Sequence, residues 1–272
     1  MKKRERYQAD LAELVHGALE IGKTVELEQY IAANSNLPGP RGNLELALAF
    51  GDVIAKQTAQ ATRVDALWNL CAGLAEIPPE AAPVNDPREL IPFCAVIGLG
   101  AIGSVVEAYC QPALARLHRL AGDPRWRMRE AVCFGLQRLL ETQKGETLAA
   151  LESWVAAGDL LQMRAAAAGL AEPALLDDQE IAMAALQLHR DILARVSEAQ
   201  DRRSDAFRTL RKGLGYTLSV VVCAAPDEGF ELLAELAKPG DRDVNWIVKQ
   251  NLKKNRLLKR FPDRVAVLRQ SV

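Results

Sequence analysis

Gly98-Leu99-Gly100-Ala101-Ile102-Gly103 completes a GxGxxG pattern directly after the apolar run Phe93-Cys94-Ala95-Val96-Ile97. In a dinucleotide site such glycines let the backbone approach a pyrophosphate at a helix N-terminus. That chemistry needs a strand before the glycines, a second strand after the helix, and an acid ending it. Asp123 stands near the required distance, but Arg116–Ala121 leading to it is a polar helical run containing His118. Nothing downstream supplies further strands. The glycines therefore read as close packing between helices, and no nicotinamide or other cofactor is expected.

No other residue set forms a recognisable catalytic or metal-binding pattern. His16, His118 and His189 are far apart and lie in no HExxH or Cys/His cluster, so each is expected at the surface or the edge of the core. Ser104 and Ser153 lack a nucleophile-elbow context. Asp177-Asp178, after Pro173, suits a helix cap. The cysteines (Cys71, Cys94, Cys110, Cys133, Cys223) contain no CxxC and sit among apolar neighbours, the pattern of reduced core thiols in a cytosolic protein. Catalytic and metal ligands are accordingly expected to be none, and a non-enzyme is the preferred reading.

The residues suited to binding are cations and tryptophans. At about 100° per residue, Lys249, Lys253, Arg256 and Arg260 form one stripe on a helix over 243–261, with Trp246 at its edge. Ile247, Val248, Leu258 and Phe261 take much of the opposite side. Such a stripe contacts successive phosphates, and Trp246 and Trp126 offer stacking surfaces. The plainer alternative is a solvated basic face with tryptophans filling gaps between helices. Arg41, on the connector 35–43 with its Pro38, Gly39, Pro40 and Gly42, can present a guanidinium to a carboxylate or phosphate, or mark a rigid corner. Residues 190–272 carry 17 Lys/Arg against 11 Asp/Glu, a net of +6, while the whole chain is at −1. A protein partner is expected, with nucleic acid as an alternative at the basic C-terminal end.

The elements that must position these groups read as helices. Only 5% of the 272 residues are aromatic, whereas Ala and Leu are abundant. Helical runs fall at 7–33 (around Gly22), 44–58, 65–75, 89–110, 112–121, 125–142, 146–157, 160–171, 179–196, 203–224, 227–238 and 243–261, with Asn43 as an N-cap. Four apolar–cation pairs recur: Met128-Arg129, Met163-Arg164, Phe207-Arg208 and Val248-Lys249. Their cations are 35, 44 and 41 residues apart, the period of stacked helix pairs. The apolar tract Ile91–Val106 is broken by Pro92 and three glycines and reads as too short to span a bilayer. The N-terminus has no apolar signal core, so a cytoplasmic protein without a membrane partner is expected.

Asp123…Trp126…Met128-Arg129 and Asp243…Trp246…Val248-Lys249 share one spacing, Trp three residues and the cation six after Asp. This resembles the HEAT repeat over about residues 112–262, with 43–110 fitting more loosely. The resemblance implies an all-α, right-handed α-solenoid of about five to six antiparallel helix pairs. It would be a single domain over 1–272: capping helices and connector over 1–42, divergent repeats over 43–110, and HEAT-like repeats over 111–272. It also implies an Asp–cation ladder, Asp123 with Arg129 and Asp243 with Lys249, and a concave binding face displaying Arg129, Arg164, Arg208 and Lys249 at intervals. More faintly, the Trp-bearing repeats resemble the HEAT-like alkylpurine DNA glycosylases. By residue type that implies roles for Trp126, Trp246, Asp123 and Arg129 around a lesion, without a motif matched residue by residue.

Overall fold

Residues that lose little freedom on entering a helix dominate this chain, and helices are what it forms. The computed structural model describes residues 3–62, 64–238 and 240–270, and among them there is no strand. The all-α expectation holds. The chain divides into two compact units, Met1–Thr147 and Leu148–Val272.

The N-terminal unit contains α1 (Lys3–Ile21), α2 (Val25–Ala33), α3 (Leu44–Gln60), α4 (Val64–Ala75), α5 (Leu90–Val105), α6 (Cys110–Leu120), α7 (Trp126–Thr142) and the start of α8 (Lys144–Ala157). Helices α1, α3, α5 and α7 pack in succession, with α2, α4 and α6 laid against them. This is the nearest-neighbour stacking of helix pairs, each covering apolar surface that the next would otherwise expose. Asn43 caps α3 as expected, accepting from the Leu46 N–H at 3.1 Å. Its amide also donates to Tyr7 Oη at 2.9 Å and to the Asn34 carbonyl at 2.8 Å, joining three helices at one buried side chain.

Helix α5 is the centre of this unit, and every residue from Leu90 to Gly103 is buried. With the 3₁₀ turn before it, Pro87–Val105 makes 19 residues, long and apolar enough by composition to cross a membrane. The stretch is longer than the interrupted tract suggested only through that turn; α5 itself ends at Val105, short of the expected run to 110, and tolerates Pro92 in its first turn, where a missing N–H costs nothing. Its 83% burial among α3, α4, α6 and α7 accounts for that apolarity as a core helix.

The C-terminal unit holds the rest of α8, then α9 (Leu160–Leu170), α10 (Gln179–Glu198), α11 (Asp205–Ala224), α12 (Pro226–Leu236), α13 (Arg242–Asn251), α14 (Asn255–Arg260) and α15 (Pro262–Arg269). Helix α11 is its axis, packed by α9, α10, α12, α13 and α14. The β-branched run Val220-Val221-Val222 stays helical because it is buried on all of these sides. Asp178, Ser204 and Asp241 cap α10, α11 and α13 through their side chains.

Two expectations are corrected here. The single helix over 243–261 is broken into α13 and α14 by a turn at 252–254, and α15 follows it. Asn251, fully buried, gives its amide to the Leu214 carbonyl at 2.9 Å and accepts from the Ser219 N–H at 2.8 Å, both on α11. The chain then turns so that Leu252 and Leu257 are buried as well. The two tryptophan repeats also differ in register. Trp126 is the first residue of α7, whereas Asp241 caps α13 and leaves Trp246 at its fifth position.

Candidate functional site

The GxGxxG glycines lie inside α5, with no strand before them. A methyl on Gly100 would sit 2.6 Å from the Gly135 Cα of α7, and one on Gly98 would sit 2.7 Å from Cys71 Sγ. They are contact points between helices, as the sequence indicated. Ser104 and Ser153 spend their hydroxyls on the Ala101 and Ala149 carbonyls of their own helices. His16 is exposed and His118 half-buried. His189 departs from the expected surface or core-edge position and is fully buried. Its Nδ1 lies 2.7 Å from the Ala185 carbonyl, which only accepts, so Nδ1 carries the proton and Nε2 accepts from Thr217 Oγ1 at 2.9 Å. Burial pushes its pKa down to about 4, against the opposing pull of that carbonyl.

The expected Asp–cation ladder takes a different form. The Asp123 carboxylate is held at both oxygens by Arg125, at 3.0 and 2.8 Å, and also accepts the Arg125 N–H. Arg125, almost wholly buried, reaches on to the Ile77 and Ala82 carbonyls, tying the 77–88 loop to the start of α7. Arg129 donates to the backbone carbonyls of Asp123 and Pro124 at 2.6 and 3.0 Å. The Asp243 carboxylate is taken by Arg211 at 2.8 Å and Arg202 at 3.1 Å, and Lys249 is left exposed.

In the N-terminal unit the structure brings together Arg41 and Trp126, which sequence reasoning treated apart. They line one cavity with Leu90, Phe93 and Phe134. Behind it lies a residue the sequence reading missed, Arg127. It forms a buried pair with Glu89 at 2.9 Å, donates to the Gly39 carbonyl at 2.8 Å, and stacks its guanidinium 4.3 Å from the Trp126 ring. Asn85 completes the fastening, accepting from the Gly39 N–H and donating its own to Glu89. The Arg41 loop is thereby pinned to α7. The only sequence signal was Glu89, an acid opening a long apolar run.

In the C-terminal unit Arg164, Arg208 and Lys249 sit on α9, α11 and α13, each directly after a buried apolar residue. The four-residue stripe is divided: Lys249 is on α13, Lys253 in the turn, and Arg256 and Arg260 on α14. What gathers here instead is a basic surface with two aromatic rings. Trp246 packs against Gly215, with the Arg211 guanidinium 3.9 Å from its ring centroid. Tyr216, 49% exposed, is flanked by Arg256 at 4.6 Å and Lys254 at 5.6 Å, and its hydroxyl accepts from Arg256 at 2.6 Å. Arg202 bridges Asp241 and Asp243. Arg202 and two backbone N–H groups hold the Asp241 carboxyl below its usual range although burial works against it. Tyr216 and Arg211 were the missed residues: five apart on α11, they stand about 140° apart round the helix, so periodicity did not group them.

No family model matches the chain, and no curated protein matches it. Among solved structures it is similar to a designed armadillo repeat protein, with 14% identity and a TM-score of 0.30 over 82% of this chain and 98% of that one. It is also similar to an engineered protein, with 14% identity and a TM-score of 0.32 over 83% of this chain and 97% of that one.

Proposed function

We propose that this protein is a non-catalytic helical-repeat scaffold of the HEAT type whose C-terminal unit holds an extended anionic partner. The surface is that of α11, α13 and α14. From Lys249 to Arg269 the chain carries eight Lys/Arg against one carboxylate, Asp263. Lys249 and Lys253 are exposed and have no carboxylate partner among the described residues. The observation that carries the reading is Tyr216, an exposed ring bracketed by Arg256 and Lys254. A single-stranded nucleic acid offers bases to such rings and phosphates to such cations. An acidic protein segment is the second reading, since the exposed Lys249 and Lys253 take carboxylates as well as phosphates.

The base-excising alternative needs an acid free to act. Asp123, named for that role, is part-buried with both carboxylate oxygens clamped by Arg125. Release of free base from methylated DNA by this protein would reverse the preference.

Fluorescence anisotropy tests the proposal, using a labelled twenty-residue oligothymidylate and a polyglutamate peptide. Each single-strand phosphate contact contributes about 0.7 to the slope of log affinity against log salt, so four contacts give a slope of about −3. Lys249→Glu combined with Lys253→Glu is expected to weaken binding at least tenfold without altering the melting temperature. Affinity indifferent to ionic strength, or to this double substitution, would reject it.

A further inference from the structure

The cavity at the Arg41 connector has a volume of about 340 Å³ and lies wholly in the N-terminal unit, apart from the basic surface just described. Its walls are Leu90 and Phe93 of α5 and Trp126 and Phe134 of α7. The Phe93 and Phe134 rings stand 6.1 Å apart at 55°, a tilted pair that leaves ring faces and edges toward the space between. Two donors at this cavity are unspent. Arg127 is 5% exposed at its side chain, and its terminal nitrogens serve Glu89 and Gly39, but its Nε is buried without a hydrogen-bond partner. Arg41, on the rim, is exposed and makes no hydrogen bond or ion pair among the described residues. Glu130, also on the rim, is already engaged.

We infer that this cavity binds an aromatic carboxylate, its ring among Trp126, Phe93 and Phe134 and its carboxylate on Arg41 and the Arg127 Nε–H. The arrangement selects that chemistry on three grounds. An apolar chamber near the lower size limit of ligand pockets admits one small ring system. The unspent groups on its lining, Arg41 and the Arg127 Nε–H, are donors, and Glu89 Oε1, a buried acceptor also without a partner, is not on the lining, so the ligand must accept. The charge of Arg127 is already balanced by Glu89 and Glu130 is already engaged, which leaves Arg41 as the one unengaged charge on the lining, and that matches a carboxylate better than a phosphate dianion. Arg41 is held in place for this by the Gly39–Arg127 bond two residues before it. The carboxylate has two natural sources, a free aromatic acid or the C-terminus of a peptide ending in an aromatic residue.

Isothermal titration of the full-length protein separates these outcomes. The probes are indole-3-propionate and its neutral amide, and a pentapeptide ending in Trp with a free or an amidated C-terminus. At least one acid is expected to bind, with its amide at least tenfold weaker. Arg41→Gln should weaken the acid about tenfold, leave the amide unchanged, and leave the melting temperature where it was. Whichever acid binds tighter identifies the source. Absence of binding by both acids at millimolar concentration, equal binding of acid and amide, or indifference to Arg41→Gln would each overturn the inference. The Lys249→Glu, Lys253→Glu protein should bind these probes like wild type, which keeps this test independent of the C-terminal surface.

Discussion

Three glycine-to-alanine substitutions should have effects of different size and sign, because what each methyl meets is different. At Gly100 it would lie 2.6 Å from Gly135 Cα and 2.8 Å from the Gly135 carbonyl carbon, where carbon atoms normally stay at least about 3.5 Å apart. Backbone cannot rotate away, so α5 and α7 must separate by about 1 Å along the most extensive helix contact of the unit. Overpacking with side chains that can move costs typically 1–3 kcal/mol, so Gly100→Ala is expected to cost about 3 kcal/mol or more. At Gly98 the obstacles are Cys71 Sγ at 2.7 Å and Phe50 Cε1 at 3.0 Å, both side chains, which places that cost near 1–2 kcal/mol. Gly73, exposed near the end of α4, meets nothing within 4 Å. Gly73→Ala should therefore stabilise by roughly 0.5–1 kcal/mol through helix propensity and a less flexible unfolded chain. Equilibrium urea unfolding of the full chain, followed by circular dichroism, measures all three. A Gly100→Ala protein no less stable than Gly98→Ala, or a destabilised Gly73→Ala, would refute the reading of the glycine motif as backbone contact.

His189 gives a pH dependence. Its folded pKa of about 4 lies below the ordinary 6.5, so the folded state binds fewer protons between these values. Its contribution is complete above about pH 6.5 and is lost as pH falls toward 4, at no more than about 1.4 kcal/mol per pH unit. Subtracting the stability profile of His189→Gln from that of wild type should isolate this slope, and parallel profiles would count against it. Glu89→Gln leaves Arg127 charged, buried and without its counter-ion, at an expected cost of about 3–5 kcal/mol; replacing both residues with Gln and Met should restore much of it. Native thiol titration should show Cys223 reacting first and Cys71, Cys94, Cys110 and Cys133 only on unfolding, since burial raises the thiol pKa to about 12 at Cys71 and about 11 at Cys110.

What the sequence made legible was local: helix runs, the caps at Asn43 and Asp178, and the packing role of Gly98, Gly100 and Gly103. Those follow from periodicity and from residues acting on their own neighbours. The bindings that hold Arg41 in place were not legible, because Arg127 lies 88 residues from Gly39 and 38 from Glu89. The break after Asn251 carries no Pro or Gly; it is made by an amide whose partners sit 32 and 37 residues away on α11.

The tryptophan motif shows how an identical spacing can be read in the wrong frame. Asp241 and Asp243 are both suitable N-caps by type. Asp241 takes the role, accepting from the Asp243 and Val244 N–H groups, and this sets Trp246 one turn deeper into its helix than Trp126. Asp243 is freed by that choice to face Arg202 and Arg211, and Trp246 is brought over Gly215, where Arg211 stacks on it. Exchanging the cap tests this directly. Asp241→Ala should cost about 1 kcal/mol for the lost cap, and in addition release Arg202 from one of its two carboxylates. Moving the start of α13 to Asp243 would shift Trp246 away from Arg211, and a red shift in the emission of that tryptophan would report it. If the emission and the affinity for an anionic probe both stay fixed, the basic-aromatic surface does not depend on this cap, and its geometry must be set by the α11–α14 contacts alone.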